Sequence, residues 1–401
     1  MYDTIIIGAG PVGSYLAGKL AQLGYKVLVL EKKGTVGEDI CCTGIVSKEC
    51  LDLIQHIDDK LIMRQVSSAT FLAPSGKPLK LWRNHEVAYI IDRPTLNLAL
   101  ADRAQEAGAC YLFDAQVTDI QAGIDNLEVS ANYREHKRLF EAETAVIATG
   151  FGSSLPGRLG LGDINCFAIG AQAEVNVTSA DEVEIYFDQS LAPGGFAWLV
   201  PTRDNRALGG LLTHHQPERQ LAKLLSTLKN KGKITSTEVI PSYGAIPLHP
   251  LPKTYTDRTL IVGEAAGQVK PTTGGGIYYG LVCAEKAADA LNQALQAHDF
   301  SKSKLASYHK EWRASIGKEL QIGYWAHRLY QKLDNRHIEY LHNFISKSDI
   351  PNFIGEVDDF SFDRHSELIL KTLKHLAFTI PTRAIKSLRE NNATTNSLNC
   401  Y

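Results

Sequence analysis

Apolar positions change their period twice within the first 31 residues. Residues 4–7 are an unbroken apolar and β-branched run, as in a strand buried on both faces of a parallel sheet. The apolar positions that follow keep helical spacing up to Gly24: Val12, Leu16, Leu20 and Leu23. Residues 27–30 form a second apolar run that ends at Glu31. The pattern predicts a strand, a helix and a second strand.

Further strands and helices follow in a clear order. Residues 68–83 have the pattern of a hairpin, and residues 87–91 that of a strand before a helix that begins near Pro94. Residues 126–143 alternate and are polar, which predicts an exposed hairpin. Residues 144–150 then predict a separate buried strand that ends in glycine.

The second half of the chain groups its strands before its helices. Four strand-like runs fall within residues 164–215, and they predict an antiparallel sheet inserted after the opening unit. A basic helix is expected at residues 216–231. Residues 259–262 predict a strand that returns to the first sheet, and residues 301–401 have a helical pattern.

Three glycines between the first strand and the first helix have the spacing Gly-x-Gly-x-x-Gly. Gly8 permits the tight turn, Gly10 lets the backbone approach a pyrophosphate, and Gly13 lets the helix pack against the sheet. The helix N-terminus then offers N–H groups to the phosphates. Glu31 can accept hydrogen bonds from ribose hydroxyls, which favours FAD or NAD over NADP. Neighbouring residues complete the candidate nucleotide contacts: Pro11, Val12 and Lys32.

A second glycine-rich segment follows the return strand. Glu264 lies at its start, and Gly274, Gly275 and Gly276 open the next helix at Ile277. Backbone N–H groups at a helix start can hold the N1–C2 carbonyl edge of a flavin and stabilise negative charge on its reduced form. A nicotinamide enzyme has no need of a second glycine loop that returns to the same sheet. The two segments together predict FAD.

Composition and charge exclude some classes of protein. The 401-residue chain is 44% hydrophobic and 21% charged, an ordinary globular composition, and its net charge of −2 gives no attraction to nucleic acid. Its seven cysteines are scattered and contain no Cys-x-x-Cys pair. Neither a zinc site nor an iron–sulfur cluster is therefore indicated, and we expect a reducing, cytoplasmic location.

The end of the chain leaves two interpretations open. Its basic and apolar residues could form an amphipathic helix that packs on a protein core, which is the commoner case, or one that lies on a membrane surface. Peripheral membrane contact is therefore an alternative to a purely cytoplasmic protein. The basic residues concerned are Lys371, Lys374, Arg383, Lys386 and Arg389.

The ordered motifs resemble a known flavoprotein fold. The GAGPVG turn, Glu31, the helix start at Asp92-Arg93, the ATG at residues 148–150 and the second glycine segment are similar to p-hydroxybenzoate hydroxylase over about residues 1–300. The resemblance implies an α/β fold with a Rossmann-like FAD-binding domain, an inserted antiparallel β-sheet substrate domain and a C-terminal helical region.

The implied domain bounds follow from this fold. The FAD-binding domain spans residues 1–165, and its hairpin at residues 68–84 contributes to the substrate domain. The expected bounds of the remaining parts are 166–255 for the substrate domain, 256–300 for the return segment of the FAD-binding domain and 301–401 for the helical region.

Two further segments resemble the geranylgeranyl reductase family. They are CCTGIVS at residues 41–47 and APGGFAWLVP at residues 192–201, close to the family motif Tyr-x-Trp-x-Phe-Pro. The chain departs from the family at Phe196, where tyrosine is usual, and at Val200, where phenylalanine is usual. Glu264 replaces the aspartate of the wider fold, which retains an acid.

The resemblance implies an FAD-dependent reductase that saturates carbon–carbon double bonds of a prenyl chain. The chain could be carried by a lipid, a pigment, a quinone or a diphosphate. Electrons would come from NAD(P)H or from a ferredoxin. Because an isolated alkene is a poor electrophile, hydride from the flavin requires a proton delivered to the other carbon.

The resemblance also implies roles for individual residues. Arg93 would bind the pyrophosphate side of FAD, Val117 would present backbone to the adenine, and Gly150 would lie at the cofactor. Glu264 would bind the ribityl chain or the pyrophosphate, and Gly274 and Gly275 would border the isoalloxazine. Cys42, with Cys41 as its rival, would lie by the flavin ring as a candidate proton donor. The candidate wall of the prenyl tunnel comprises Phe196, Trp198, Leu199, Val200 and Pro201.

Other functions fit parts of the same pattern. Flavin-dependent monooxygenases and halogenases share the fold, and a halogenase needs a lysine near the flavin, for which Lys77 and Lys80 are candidates. A prenyl-binding escort protein could keep the fold without flavin chemistry. A quinone-reducing relative of electron-transfer flavoproteins is disfavoured because the cysteines cannot build a cluster.

Overall fold

A computed structural model describes residues 1–38, 40–55, 59–134, 136–178, 181–348 and 362–379. Within these ranges the strands are β1 (Tyr2–Ile7), β2 (Val27–Leu30), β3 (Ile45–Val46), β4 (Ile62–Val66), β5 (Ser68–Leu72), β6 (Pro78–Trp82), β7 (Ala88–Ile91), β8 (Cys110–Leu112), β9 (Ala115–Ala122), β10 (Leu127–Tyr133), β11 (His136–Ile147), β12 (Phe167–Asn176), β13 (Val183–Tyr186), β14 (Phe196–Pro201), β15 (Arg206–Thr213), β16 (Ser242–Pro247), β17 (Tyr255–Thr256) and β18 (Thr259–Ile261). The helices are α1 (Pro11–Gln22), α2 (Lys48–Ile54), α3 (Arg93–Glu106), α4 (Leu155–Arg158), α5 (Pro217–Asn230), α6 (Ile277–Ala297), α7 (Lys302–Tyr330), α8 (Asn335–Lys347) and α9 (Ser366–Thr379). Short 3₁₀ turns span Asp59–Leu61 and Gly263–Ala266.

The first sheet has the predicted Rossmann-like centre. Its strands run in the order β17-β18-β11-β1-β2-β8, and β1 pairs in parallel with both β2 and β11. In that register Ile5 lies between Leu28 and Ala145. Ile5 and Ile6 are fully buried on opposite faces, as expected for a parallel strand covered on both sides. The strand, helix and strand predicted for the opening residues are confirmed.

The predicted exposed hairpin and separate strand of residues 126–150 are wrong in part. Strands β10 and β11 do form an antiparallel hairpin, but Leu127, Val129 and Ala131 are buried in the core. β11 also continues without a break into the sheet, so the two predicted strands are one. Polar side chains dominate the outer half of β11. The hydrophobic pattern therefore does not show that the two halves form one continuous strand.

The second sheet is the predicted inserted antiparallel sheet. Its order is β16-β12-β15-β14-β13-β5-β6, and its pairs are antiparallel except for the parallel pair β13–β5. The hairpin of β5 and β6 is confirmed, and it extends this sheet by that parallel pair. Helix α5 covers one face with Leu221, Leu224, Leu225 and Leu228.

A third, three-stranded sheet has the order β3-β7-β4, and only β7 of its strands was predicted. The helical C-terminal pattern is confirmed in α7, where Trp312, Ile316 and Leu320 are buried. Within the described ranges no helix is long and apolar enough to cross a membrane. The amphipathic-helix prediction falls partly outside the described residues, which do not include Arg383, Lys386, Arg389 or the side chain of Lys374.

Candidate active site

Two glycines of the first turn are required by close backbone contacts. Gly8 has φ +108°, and a Cβ there would lie 2.5 Å from the carbonyl oxygen of Ala148. A Cβ on Gly13 would lie 2.1 Å from the carbonyl oxygen of Gly8, so α1 approaches β1 as closely as predicted. A Cβ on Gly10 would meet no atom within 4 Å. Gly10 therefore borders open space at the start of α1, where Pro11 is the first helical residue.

Glu31, which follows β2, stabilises this turn by hydrogen bonds. Its Oε2 accepts a hydrogen bond from the N–H of Ala9 at 2.7 Å, and its Oε1 accepts one from the N–H of Lys33 at 3.0 Å. Each carboxylate oxygen has a second lone pair that remains able to accept. Lys32 is exposed beside it. The placement is compatible with the predicted ribose contact, which stays a prediction.

Val117 lies close to this acid in space. It stands two residues after Ala115, whose N–H donates to the carbonyl of Glu31 at 2.8 Å. Val117 pairs with Ala131 and is partly buried against the apolar cluster on one face of the first sheet. β9 therefore brings the predicted adenine contact to the carboxyl end of β2.

Arg93 begins α3, whose N-cap Asp92 accepts a hydrogen bond from the N–H of Thr95 at 2.8 Å. The Nε and Nη1 atoms of Arg93 are buried, and they have no hydrogen-bond partner among the described residues. A buried donor without a partner costs about 1–3 kcal/mol, and more when it is charged. These donors fit an anionic ligand such as a pyrophosphate.

The side chain of Glu264 lies close to two glycines that are far apart in the chain. A Cβ on Gly150, which has φ +71°, would lie 3.8 Å from its Oε2, and a Cβ on Gly276 would lie 3.2 Å from its Oε1. Solvent reaches the side chain, yet the surrounding protein raises the pKa of its carboxyl by desolvation, which the nearby charge of Arg93 partly opposes. Glu264 is therefore accessible to solvent and lies within the field of Arg93.

The second glycine-rich segment forms a closed loop. The N–H of Lys270 donates to the carbonyl of Gly275 at 3.0 Å, and the N–H of Gly274 donates to the carbonyl of Lys270 at 2.8 Å. We call residues 270–276 the glycine loop. Gly276 is the N-cap of α6, and Ile277 is its first residue. The loop therefore presents its backbone at the start of a long helix, as predicted.

Val12 connects the two glycine segments. A Cβ on Gly263 or on Gly280 would lie 3.2 Å or 2.4 Å from its Cγ2 atom. Gly263 precedes the glycine loop, and Gly280 lies in the first turn of α6. The start of α1 therefore packs directly on the elements that carry the second segment, and the predicted return to the same place is confirmed.

Strand β14 divides the predicted tunnel wall between two faces. Phe196, Trp198 and Val200 belong to an apolar cluster on one face of the sheet. Leu199 packs in a different cluster, with α5, on the other face. Because side chains alternate along a strand, Pro201 shares the face of Leu199. The prediction of one common wall is therefore corrected for Leu199 and Pro201, and it stays a prediction for the other three.

Ile246, which the sequence did not single out, connects this apolar cluster to the glycine loop. It belongs to the same cluster as Phe196 and Trp198. Its Cδ1 atom would lie 3.0 Å from a Cβ on Gly274 and 3.3 Å from one on Gly170. The apolar face of the second sheet therefore reaches the predicted flavin loop through one side chain.

The adjacent thiols of Cys41 and Cys42 have different partners. Cys41 Sγ donates weakly to the carbonyls of Gly170 at 3.7 Å and Ser242 at 3.6 Å, and burial raises the pKa of its thiol. Cys42 Sγ accepts a hydrogen bond from the N–H of Gly44 at 3.4 Å. Cys41 therefore lies against β12 and β16, close to Ile246, whereas Cys42 is held by its own loop.

The two candidate halogenase lysines lie at the opposite edge of the second sheet. Lys77 Nζ donates to Asn343 Oδ1 at 2.6 Å, and Lys80 forms an ion pair with Glu182 at 3.1 Å. Both belong to the β5–β6 hairpin, whereas β16, which carries Ile246, is the edge strand near the glycine loop. Neither lysine is placed beside the glycine loop.

The residues present fit FAD. The buried donors of Arg93 and the open approach to Gly10 match an anionic dinucleotide, and the acid beside Gly150 and Gly276 matches a polar ribityl chain. The fold and this site define an FAD-dependent oxidoreductase of the p-hydroxybenzoate hydroxylase type. The structure is similar to a geranylgeranyl bacteriochlorophyll reductase-like protein from Thermoplasma acidophilum, with a TM-score of 0.83, 23% identity and coverage of 96% of this chain and 99% of that one. It is also similar to a variant of halogenase PltM in complex with FAD, with a TM-score of 0.67, 14% identity and coverage of 96% and 85%.

Similar sequences identify the family within this class of FAD-dependent oxidoreductases. The family model described as lycopene cyclase protein matches residues 3–345. A digeranylgeranylglycerophospholipid reductase from Methanocella arvoryzae is 30% identical over 342 residues, which cover 80% of this chain and 86% of the relative. The chain belongs to the geranylgeranyl reductase family of FAD-dependent oxidoreductases.

Proposed function

We propose that this protein saturates carbon–carbon double bonds of geranylgeranyl-type chains carried by a membrane lipid. The observation that supports this most directly is the apolar cluster of Phe196, Trp198 and Val200, which reaches the glycine loop through Ile246. A long hydrocarbon chain needs such an apolar surface beside the reacting centre. The name of the Methanocella relative supplies the substrate class, a digeranylgeranylglycerophospholipid.

The residues of the chain divide the work between polar and apolar parts of the site. Gly8, Gly10 and Gly13 hold the nucleotide by backbone contacts, and Arg93 compensates the pyrophosphate charge. Bound FAD, once reduced by the electron donor, would supply a hydride to one carbon of the double bond. The apolar face of β14 orients the prenyl chain and excludes water from it.

The second carbon needs a proton, and the neighbouring thiols are its candidate donors. Burial raises the pKa of Cys41, so this thiol keeps its proton at neutral pH. Cys42 remains the other candidate because it lies in the same loop. We expect Cys42→Ala and Cys41→Ala to differ in turnover, with a fall of at least tenfold in the variant that lacks the donor. Normal turnover in both variants would remove the thiols from the mechanism.

The decisive experiment uses the dithionite-reduced holoprotein under anaerobic conditions with digeranylgeranylglycerol-type lipids. Mass spectrometry should show a gain of about two mass units for each double bond reduced. The same lipids incubated with the oxidised protein serve as the control and should not change. No gain with any geranylgeranyl substrate would refute the proposed function.

The electron donor can be identified with the same holoprotein. NADPH, NADH and a reduced ferredoxin are supplied separately, and bleaching of the flavin absorbance is followed anaerobically. The first sheet carries one predicted nucleotide-binding βαβ unit, so we expect either transient binding of NAD(P)H or reduction by ferredoxin. The donor that bleaches the flavin within the time of one turnover is the physiological class.

The match to the lycopene cyclase model supports a second candidate function, ring closure of a prenyl hydrocarbon. The similarity to halogenase PltM supports a third, an oxygen-dependent monooxygenase or halogenase. Ring closure leaves the mass of the hydrocarbon unchanged, whereas reduction raises it. A monooxygenase or halogenase would consume oxygen, but Lys77 and Lys80 are placed away from the glycine loop. An escort protein would purify without a yellow chromophore. Parallel anaerobic and aerobic assays, with flavin spectra, product masses and chromatographic separation of isomers, distinguish all four.

A further inference from the structure

A short stretch of the C-terminal region lies against the glycine loop. Lys270, at the base of the loop, forms an ion pair with Asp363, and their side chains are 6% and 3% exposed. The Nζ of Lys270 also lies 3.5 Å from the carbonyl oxygen of Phe362 and 4.7 Å from the centre of its ring. The ion pair is therefore buried, and it joins parts of the chain that are far apart in sequence.

The side chain of Lys270 runs beneath the loop that it begins. A Cβ on Gly275 would lie 2.7 Å from Lys270 Cε, so the loop backbone rests on the aliphatic part of this side chain. The two backbone hydrogen bonds of Lys270 close the loop above it. Because Asp363 fixes the far end of the side chain, the loop cannot move at Gly275 without disturbing the ion pair.

Three neutral hydrogen bonds fix the same stretch. The hydroxyl of Tyr279, in the first turn of α6, donates to the carbonyl of Asp363 at 2.8 Å. The Nε2 of His365 lies 2.8 Å from the carbonyl of Phe362, so it carries the proton, and Nδ1 accepts from the hydroxyl of Thr272 at 2.9 Å. Burial lowers the pKa of His365 to about 4, which keeps this ring neutral.

A further contact attaches the stretch to the long helix α7. The N–H of Ser366 donates to Glu319 Oε2 at 2.9 Å, and its hydroxyl also donates to that carboxylate. We call residues 362–366 the C-terminal clamp. The clamp therefore ties the glycine loop, the start of α6 and the middle of α7 to one another.

We propose that the C-terminal clamp positions the backbone N–H groups of the glycine loop for reduced FAD, and that Lys270 and Asp363 are positioning residues. The proposal rests on the proposed function, which places this loop at the flavin. The ion pair is neutral as a whole, so its effect is on geometry. Fixed N–H groups stabilise negative charge where it develops, and reduced flavin carries more of it than oxidised flavin.

The test compares the affinities of oxidised and reduced FAD for a variant without the ion pair. Lys270→Met combined with Asp363→Asn removes both charges, so that neither is left buried alone. We expect oxidised FAD to bind about threefold more weakly and reduced FAD about thirtyfold more weakly. This tenfold difference corresponds to a midpoint potential lower by about 30 mV for a two-electron couple.

The matched control lies in α9, directly after the clamp. Lys371 forms an exposed ion pair with Glu367 at 3.1 Å, and Lys371→Met should leave both FAD affinities unchanged. Thr272→Val removes one neutral hydrogen bond of the clamp, and it keeps the test available if the double variant does not fold. It should show the same preference, with reduced FAD weakened about threefold more than oxidised FAD.

Equal weakening of both forms would reduce the clamp to a structural support and overturn the proposal. Unchanged affinities would overturn it too. The double variant could lose more affinity for reduced FAD than for oxidised FAD while the wild-type protein reduces no prenyl chain. That result would support the role of the clamp and refute the proposed substrate. If prenyl reduction occurs and the difference is missing, the clamp alone is refuted.

Discussion

The turn at Gly8–Gly13 and the apolar face of β14 are two parts of the candidate site, and they are built differently. The turn uses backbone atoms, and a Cβ at Gly13 would overlap the Gly8 carbonyl oxygen. The face of β14 uses alternate side chains, and its neighbours come from other strands of the sheet. A backbone site tolerates few substitutions, whereas side chains on a strand face can change without moving the strand. Cofactor and substrate specificity can therefore vary separately.

The largest effect should come from a methyl group in the turn. Gly13→Ala places a Cβ 2.1 Å from the Gly8 carbonyl oxygen, and we expect it to destabilise the protein by about 3 kcal/mol. Gly10→Ala is its matched control, since that position has φ −67° and open space. It should unfold in urea like the wild type and yet bind FAD more weakly. Equal stability losses in both variants would show that the turn is not built as described.

Two neighbouring positions of β14 test the other half of the comparison. Leu199→Ala should cost about 3 kcal/mol of unfolding free energy, because Leu199 is packed against α5, and it should leave KM unchanged. Phe196→Ala should instead raise KM for a prenyl lipid by roughly 30-fold, from about 2 kcal/mol of lost apolar contact. Urea unfolding and steady-state kinetics measure the two quantities. A rise in KM in Leu199→Ala would mean that both faces contact substrate.

Arg93 tests whether the nucleotide end also depends on a side chain. Arg93→Met should weaken FAD binding by about 2 kcal/mol, or roughly 30-fold in Kd. The FAD-free protein should lose no stability, because the variant removes buried donors that have no partner among the described residues. Fluorescence titration and thermal unfolding check the two statements. A destabilised apoprotein with normal FAD affinity would assign Arg93 to the fold.

The smallest expected effect is the contribution of Glu264 to the pH dependence of folding stability. Its pKa is raised in the folded protein, so the folded state binds more protons than the unfolded state, and stability falls as pH rises through the ordinary and then the raised pKa. Glu264→Gln should remove this loss in the FAD-free protein. Its melting temperature should match the wild type in acid and exceed it at neutral pH. A constant difference at all pH values would show that the charge is not involved.

Local patterns were sufficient for the opening strand, helix and strand and for the start of α3. Gly8, Gly13 and Glu31 lie within one short unit, and the helix expected near Pro94 begins at Arg93. The contact between Lys270 and Asp363 crosses 93 residues, and no local signal marks it. The two faces of β14 were predictable from strand alternation, yet the predicted wall ignored that period. Ile246 acquires its position only from the pairing of β16 with β12.

The order of strands in the first sheet has a consequence for synthesis on the ribosome. β18 pairs with β11, but the chain between them forms most of the second sheet. Translation at about 5–20 residues per second would therefore leave this edge of β11 unpaired for several seconds. Strands β12 to β16 of the second sheet are therefore synthesised before β18 can close the first sheet. Fragments that end before Thr259 should consequently expose β11 and associate with chaperones.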